Sequence, residues 1–139
     1  MAYILGVDIG TSGTKTVLFS EDGTPVASAL YDYPLYTPCN GYAEQDPADW
    51  WNACVNSIRD VVAKSGVPAD EIKGVGLSGQ MHGLVMLDKD DKVIRPAILW
   101  NDGRSTKQCE YLNNIIGKET LSEYTANIAF AGFTAPKIL

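Results

Sequence analysis

Asp8-Ile9-Gly10-Thr11-Ser12-Gly13-Thr14-Lys15 brings a carboxylate, glycines, hydroxyls and an amine into one short stretch. Small residues let backbone N–H groups approach phosphate oxygens. Thr11, Ser12 and Thr14 add hydroxyl donors, and Lys15 offers positive charge to a phosphoryl group in transfer. Asp8 suits a magnesium ion held through ordered water, because that ion prefers oxygen ligands and keeps part of its hydration shell. Gly10 and Gly13 lack the spacing of a Walker A loop, and the turn joins two strands instead of entering a helix. The same residues also make an ordinary β-hairpin in which Asp8 bonds to the turn.

Two further strings carry chemistry. In Gly76-Leu77-Ser78-Gly79-Gln80-Met81-His82-Gly83, Gln80 and His82 can hydrogen-bond the hydroxyls of a small polyol-like molecule while Met81 packs adaptably. A lone histidine also serves as a general base, but no partner carboxylate is identifiable, so ligand binding is the expectation. A turn whose histidine is satisfied by backbone groups is the plain alternative. Trp100-Asn101-Asp102-Gly103-Arg104 sets an aromatic face beside an amide, an acid and a guanidinium, a combination that walls and bonds a sugar. Trp100 in the core, Asp102 as a helix cap and Arg104 on the surface form the alternative.

These strings need elements to position them. Tyr3 to Asp8 reads as a buried strand delivering Asp8 to its C-terminal end. Thr14 to Ser20 and Pro25 to Tyr33 read as two more strands, the second and third antiparallel across the turn Glu21-Asp22-Gly23. Pro34 to Glu44 reads as irregular. Asp46-Pro47-Ala48-Asp49 is a helix start, and the helix is expected to end near Lys64. Its apolar stripe comprises Trp50, Cys54, Ile58 and Val61, widened by Val62, with one ring of Trp50-Trp51 buried and the other partly exposed. Ile72 to Leu77 is expected as a buried strand and Leu84 to Leu87 as the next, closed by the turn Lys89 to Lys92. Pro96 to Trp100 is an apolar segment. A helix from about Ser105 to Ile116 buries Cys109, Leu112, Ile115 and Ile116 and stops at a left-handed Gly117. Thr120 to Tyr124 is expected to form a short helix, and Ala129 to Leu139 mixes glycine, proline and apolar residues and ends without a cap or polar tail.

Composition narrows the classes of function. At 139 residues, 45% hydrophobic and 20% charged, the chain has one domain's worth of sequence and an ordinary folded balance. Seventeen acidic against eleven basic residues leave a net charge of -6. With no Lys/Arg cluster, that acidic field argues against nucleic acid as a partner. No apolar run approaches the ~18–20 residues that span a bilayer, so no membrane partner is expected. The first ten residues carry Asp8 and no basic segment, unlike a signal peptide. Cys39, Cys54 and Cys109 lack metal-ligand spacing and read as reduced thiols in the cytoplasm. The abrupt ending after Pro136-Lys137-Ile138-Leu139 reads as a chain cut from something longer.

DIGTSGTK (Asp8 to Lys15), GLSGQMHGLVMLD (Gly76 to Asp88) and RPAILWNDGR (Arg95 to Arg104) together resemble the N-terminal part of the FGGY family of carbohydrate kinases. GYAEQDPADWW (Gly41 to Trp51) and AGFTAPKIL (Ala131 to Leu139) resemble it too. The GQMHG and WNDGR strings are more similar to members acting on D-xylulose than to those acting on glycerol or L-ribulose. The resemblance implies an α/β, ribonuclease-H-like (actin-like ATPase) fold: a mixed sheet with antiparallel first strands and flanking helices, here an incomplete first domain. It implies ATP and Mg2+ as cofactors, with Asp8 organising the metal-nucleotide and Gly10, Thr11, Ser12, Gly13 and Thr14 near the phosphates. Lys15 then lies near the transferred phosphoryl group. Gln80, Met81 and His82, with Trp100, Asn101 and Asp102, fall on the sugar side. The three turns are then expected to share one hollow. The resemblance places the general-base aspartate beyond Leu139, so the chain alone is expected to be inactive, and its uncovered apolar surface to favour a homodimer. A nonenzymatic nucleotide- or sugar-sensing module of the same superfamily is the rival from another class.

Overall fold

The computed structural model describes residues 1–139. In chain order the elements are β1 (Tyr3–Ile9), β2 (Gly13–Ser20), β3 (Pro25–Asp32), β4 (Glu44–Gln45) and α1 (Pro47–Ser65). They continue with β5 (Ile72–Gly79), β6 (Ala97–Ile98), α2 (Thr106–Tyr111), α3 (Lys118–Thr125) and α4 (Ala135–Ile138). The chain divides into two compact units, residues 1–34 with 48–80 and residues 35–47 with 81–139.

The first unit is a four-stranded sheet in the order β3-β2-β1-β5. β1 pairs antiparallel with β2 and parallel with β5, so the sheet is mixed. Side chains alternate between the faces of a strand, and here each face has a different fate. Leu5, Leu18 and Ala29 turn to one face and pack with Val61 of α1 as the buried core. Tyr31, Ile58 and Ile72 close its margin. Lys15 and Asp8 turn to the other, open face. Inside the packed layer, the hydroxyls of Thr16 and Ser57 bond at 2.7 Å, which satisfies two polar groups that water does not reach.

The three antiparallel strands, α1 and its proline start follow the sequence expectations. The stripe of α1 follows them only at Val61: Ala53, Ser57 and Val61 are its buried line, whereas Trp50, Cys54 and Ile58 are only half-buried. Small side chains at the line of closest approach let the helix sit near the sheet, and bulkier ones flank it. Trp51 is exposed. β5 also departs from expectation. It is an edge strand rather than a buried one, with Val75 and Leu77 exposed, because β1 occupies one side and no strand of this sheet occupies the other.

In the second unit β4, which starts at Glu44 where the stretch expected to be irregular ends, pairs antiparallel with β6 in the apolar segment Pro96 to Trp100. Residues Leu84 to Leu87 make only single bridges, Leu84 to Ile98 and Leu87 to Val93, instead of a strand. Val85 and Leu87 are exposed, so no buried face fixes a continuous ladder there. The helix expected to reach Ile116 ends at Tyr111 and widens into a π turn at Leu112–Gly117. Cys109 and Leu112 are buried as expected, but the wider turn rotates Ile115 and Ile116 off the stripe and into solvent. Gly117 does take positive φ, and α3 resumes directly after it. Near the end of the chain Ala135 to Ile138 form α4, whose Pro136 occupies the first turn where its missing N–H is harmless.

Ser57→Ala leaves the Thr16 hydroxyl buried and unpaired and is expected to lower unfolding free energy by about 1–3 kcal/mol. Urea denaturation checks this, and adding Thr16→Val should recover most of the loss. Equal stability of the single variant and the native chain would contradict the expectation.

Candidate functional site

In the first unit the polar turn after β1 is held by its backbone. Gly10 N–H bonds to Gly13 O at 3.0 Å, and Tyr33 N–H bonds to Ser12 O at 3.3 Å. Tyr33 also donates its hydroxyl to Gly10 O. Gly13 is required for a different reason from flexibility: a Cβ there would lie 2.7 Å from Tyr31 O of β3. Gly79 is likewise forced by a close approach, 2.7 Å to Ile9 O.

Asp8 and Lys15 are Cα partners across β1 and β2, both exposed, and neither forms an ion pair or hydrogen bond. They border a hollow of about 350 Å³ on the open face, with Gly6, Val17, Phe19, Gly76 and Ser78. The hollow exists because Gly6 and Gly76, paired neighbours on β1 and β5, place no side chain there. A free carboxylate and a free ammonium beside a cleft suit a phosphate accompanied by a cation. Magnesium is commonly held by one or two carboxylates plus substrate phosphates rather than by a protein cage. The donor set fits that pattern: Asp8 is available, and no group of three His, Cys, Asp or Glu residues could hold a metal.

Thr14, expected among the phosphate-side donors, and Gln80, expected on the sugar side, are both placed differently. Thr14 is fully buried on the packed face, opposite Lys15, so its hydroxyl does not join the turn's donors. There it lies beside Tyr33 and Cys54, whose ionisable groups burial pushes above their ordinary values. Gln80 is tied to the glycine turn after β1: its N–H bonds to Ile9 O at 2.8 Å, and Thr11 Oγ1 donates to Gln80 Oε1 at 3.2 Å.

In the second unit Met81 is exposed and His82 has φ 63°. That left-handed conformation costs a non-glycine residue roughly 1–2 kcal/mol, so neighbouring contacts must hold it. The His82 ring stacks on Phe133 with centroids 4.3 Å apart, and the His82 carbonyl accepts a 2.7 Å bond from the Lys137 ammonium. Trp100 is half-exposed, so it is not a core residue, and Asn101 is exposed.

Arg104 is not a surface residue: its guanidinium is largely buried. Asp102 caps no helix, and its carboxylate turns inward. It accepts from Ala43 N–H at 2.6 Å and from Arg104 Nη2, Nε and backbone N–H at 2.6, 2.9 and 2.9 Å. Arg104 bonds onward to Glu44 at 2.6 Å, and its guanidinium lies 3.8 Å from the Tyr42 ring centroid. Burial opposes the charged form of Asp102, but the bonds from Arg104 and Ala43 outweigh it and hold the carboxyl below its ordinary range. Sequence reasoning missed Glu44, Phe133 and Lys137. The available signal for Lys137 was a single cation inside the apolar string Ala135-Pro136-Lys137-Ile138-Leu139.

Residues 3–139 match the model for the FGGY family of carbohydrate kinases, N-terminal domain. The xylulose kinase of Bacillus subtilis is 44% identical over 139 residues, 100% of this chain and 28% of that protein. The crystal structure titled a xyloylose kinase from Brucella ovis superposes with TM-score 0.90 at 43% identity, over 98% of this chain and 28% of its own. The glycerol kinase of Plasmodium falciparum with ADP superposes with TM-score 0.88 at 22% identity, over 99% of this chain and 28% of its own, a likeness of fold alone. The fold is therefore the mixed α/β one of actin-like ATPases, and the chain spans about 28% of the length of the relatives it matches.

Because the pKa of Asp102 is lowered on folding, its contribution to stability is present above the ordinary carboxylate range and is lost as pH falls through its own value. Asp102→Asn should cost about 3–5 kcal/mol at neutral pH, and the cost should shrink in acid. Urea denaturation over a pH series reads both; a cost independent of pH would refute the electrostatic origin.

Proposed function

Because this chain belongs to the FGGY family of carbohydrate kinases, we propose that it supplies the N-terminal part of an ATP-dependent kinase acting on D-xylulose. The products are D-xylulose 5-phosphate and ADP. Residues 1–139 form part of that enzyme's first domain. The single observation that carries the reading is the unpartnered Asp8–Lys15 pair on the open sheet face, beside the glycine turn. Its support on the sugar side is the 44% identity to a xylulose kinase over the whole chain, which includes Met81, His82, Trp100 and Asn101.

In this reading Lys15 faces the negative charge that builds on the phosphoryl oxygens, and the backbone N–H groups of Thr11 and Ser12 with the Ser12 hydroxyl orient the phosphates, while the Gly10 N–H and the Thr11 hydroxyl hold the turn in shape. Asp8 would hold magnesium through water; the ion, when bound with ATP, neutralises phosphate charge. Thr14 supports the turn from beneath. Met81, His82, Trp100 and Asn101 contact the sugar, while Asp102 and Gln80 fix the backbone that presents them. The base that removes the sugar's hydroxyl proton is assigned beyond Leu139, so the 139-residue chain alone should show little turnover. Use of ATP and three free cysteines favour a cytoplasmic setting.

A coupled ADP-release assay on the complete gene product, with a panel of D-xylulose, L-ribulose, gluconate and glycerol, tests the reading. D-xylulose should give the highest kcat/KM. Lys15→Ala should lower kcat by about 10²–10³-fold, with a much smaller change in the KM for sugar. Preference for another member of the panel would overturn the substrate, and an unaffected Lys15→Ala would overturn the site.

A further inference from the structure

The ammonium of Lys137 is unusual in its surroundings. The residue is 7% exposed, and no carboxylate lies within ion-pair distance of it. Its Nζ donates instead to two carbonyls, His82 O and Gly132 O, each at 2.7 Å. Desolvating a cation is costly unless its donors are well used, so what those two bonds do is the question. One of them spans fifty-five residues in sequence to reach a histidine in a left-handed conformation.

The rest of the segment acts on the same two loops. Phe133 stacks on the His82 ring with an interplanar angle of 18°, and Phe130 meets Phe133 edge-on. Thr134 Oγ1 points to the His82 carbonyl as well, at 3.4 Å. Gly132 passes so close to Trp100 that a Cβ would lie 2.5 Å from the Trp100 carbonyl. A single stretch, Gly132 to Lys137, thus fixes the backbone of His82, the plane of its ring and the backbone of Trp100.

We propose that Lys137 is a positioning residue for the sugar site: its buried ammonium locks the His82 turn, and Phe133 and Gly132 beside it set the His82 ring and the Trp100 loop. This rests on the assignment of His82 and Trp100 to sugar binding. A methionine would fill the same space, leaving the Gly132 carbonyl without the Lys137 donor and the His82 carbonyl with only the longer bond from Thr134. The turn then loses the shorter of the bonds that offset its backbone strain, and the imidazole slides from its stack.

His82 is the only histidine in the chain, so its ring signals are unambiguous in NMR spectra of the 139-residue protein. Lys137→Met is expected to move the His82 Cα shift out of the left-handed range and to remove the ring-current shift from Phe133. The Kd for D-xylulose, titrated through the same signals, should rise by about tenfold or more. Resonances of Asp8 and Thr16 and the urea midpoint of the first unit should stay in place, separating positioning from general loss of structure. Phe133→Leu should shift the ring signals while leaving Cα left-handed. If Lys137→Met does not fold, Lys137→Gln is read in the same way, since one short amide cannot serve both carbonyls. Unmoved His82 signals in the Lys137 variant would overturn the lock, and moved signals with unchanged Kd would overturn its role in sugar binding. Absence of any D-xylulose shift in the native chain would defeat the sugar assignment instead, with the lock still decided by the His82 Cα shift.

Discussion

β1 is the strand on which the first unit depends. It is paired on both sides, antiparallel to β2 and parallel to β5, so its backbone has no freedom to rotate. The two-residue alternation of a strand then has consequences at every position. Leu5 is committed to the layer under α1, and Asp8 is committed to the face that α1 does not cover. A slip of one residue would exchange the two sets and bury the carboxylate. The same register sets Lys15 opposite Asp8 and Gly76 opposite Gly6. Charge, hollow and core therefore have a common origin in one pairing pattern.

The second unit is organised by buried charge. Asp102, Arg104 and Glu44 form a chain of short hydrogen bonds with little exposure. Such a group is no guarantee of stability, because removing ions from water consumes most of what their attraction returns. What it provides is geometry. Ala43 N–H and Arg104 each hold the carboxylate in one orientation, and that orientation sets where the chain leaves β6 toward Trp100 and Asn101. Asn101 accordingly faces solvent while Asp102 supports the loop from below.

What could be read from the sequence follows from the range of the forces involved. The strands around Asp8 were legible because alternation and turn residues act over a few positions, and Pro47 marked its helix start for the same reason. Thr14 was misplaced because a hydroxyl beside glycines suggests a donor, whereas the strand period that begins at Gly13 turns it inward. The half-buried flank of α1 was mistaken for its centre, since bulky residues draw attention and Ala53 and Ser57 do not. Arg104 was assigned to the surface because Glu44, sixty residues earlier, is invisible to any local pattern. Lys137 was missed on the same grounds: carbonyl acceptors leave no mark in a sequence.

The widened turn at Leu112–Gly117 has a consequence for how this protein tolerates change in length. A π turn holds one residue more than an α turn, and each residue advances a helix by about 100°. The carboxamide of Asn113 donates to Ala129 O and accepts from Ala129 N–H, both at 2.9 Å, which ties the turn to the chain three residues before Gly132. Loss of one residue there would rotate everything that follows out of phase, whereas the exposed turn at Lys89–Lys92 has no such bookkeeping to preserve. Insertions and deletions among natural variants should therefore collect in that surface turn and avoid the helix bulge.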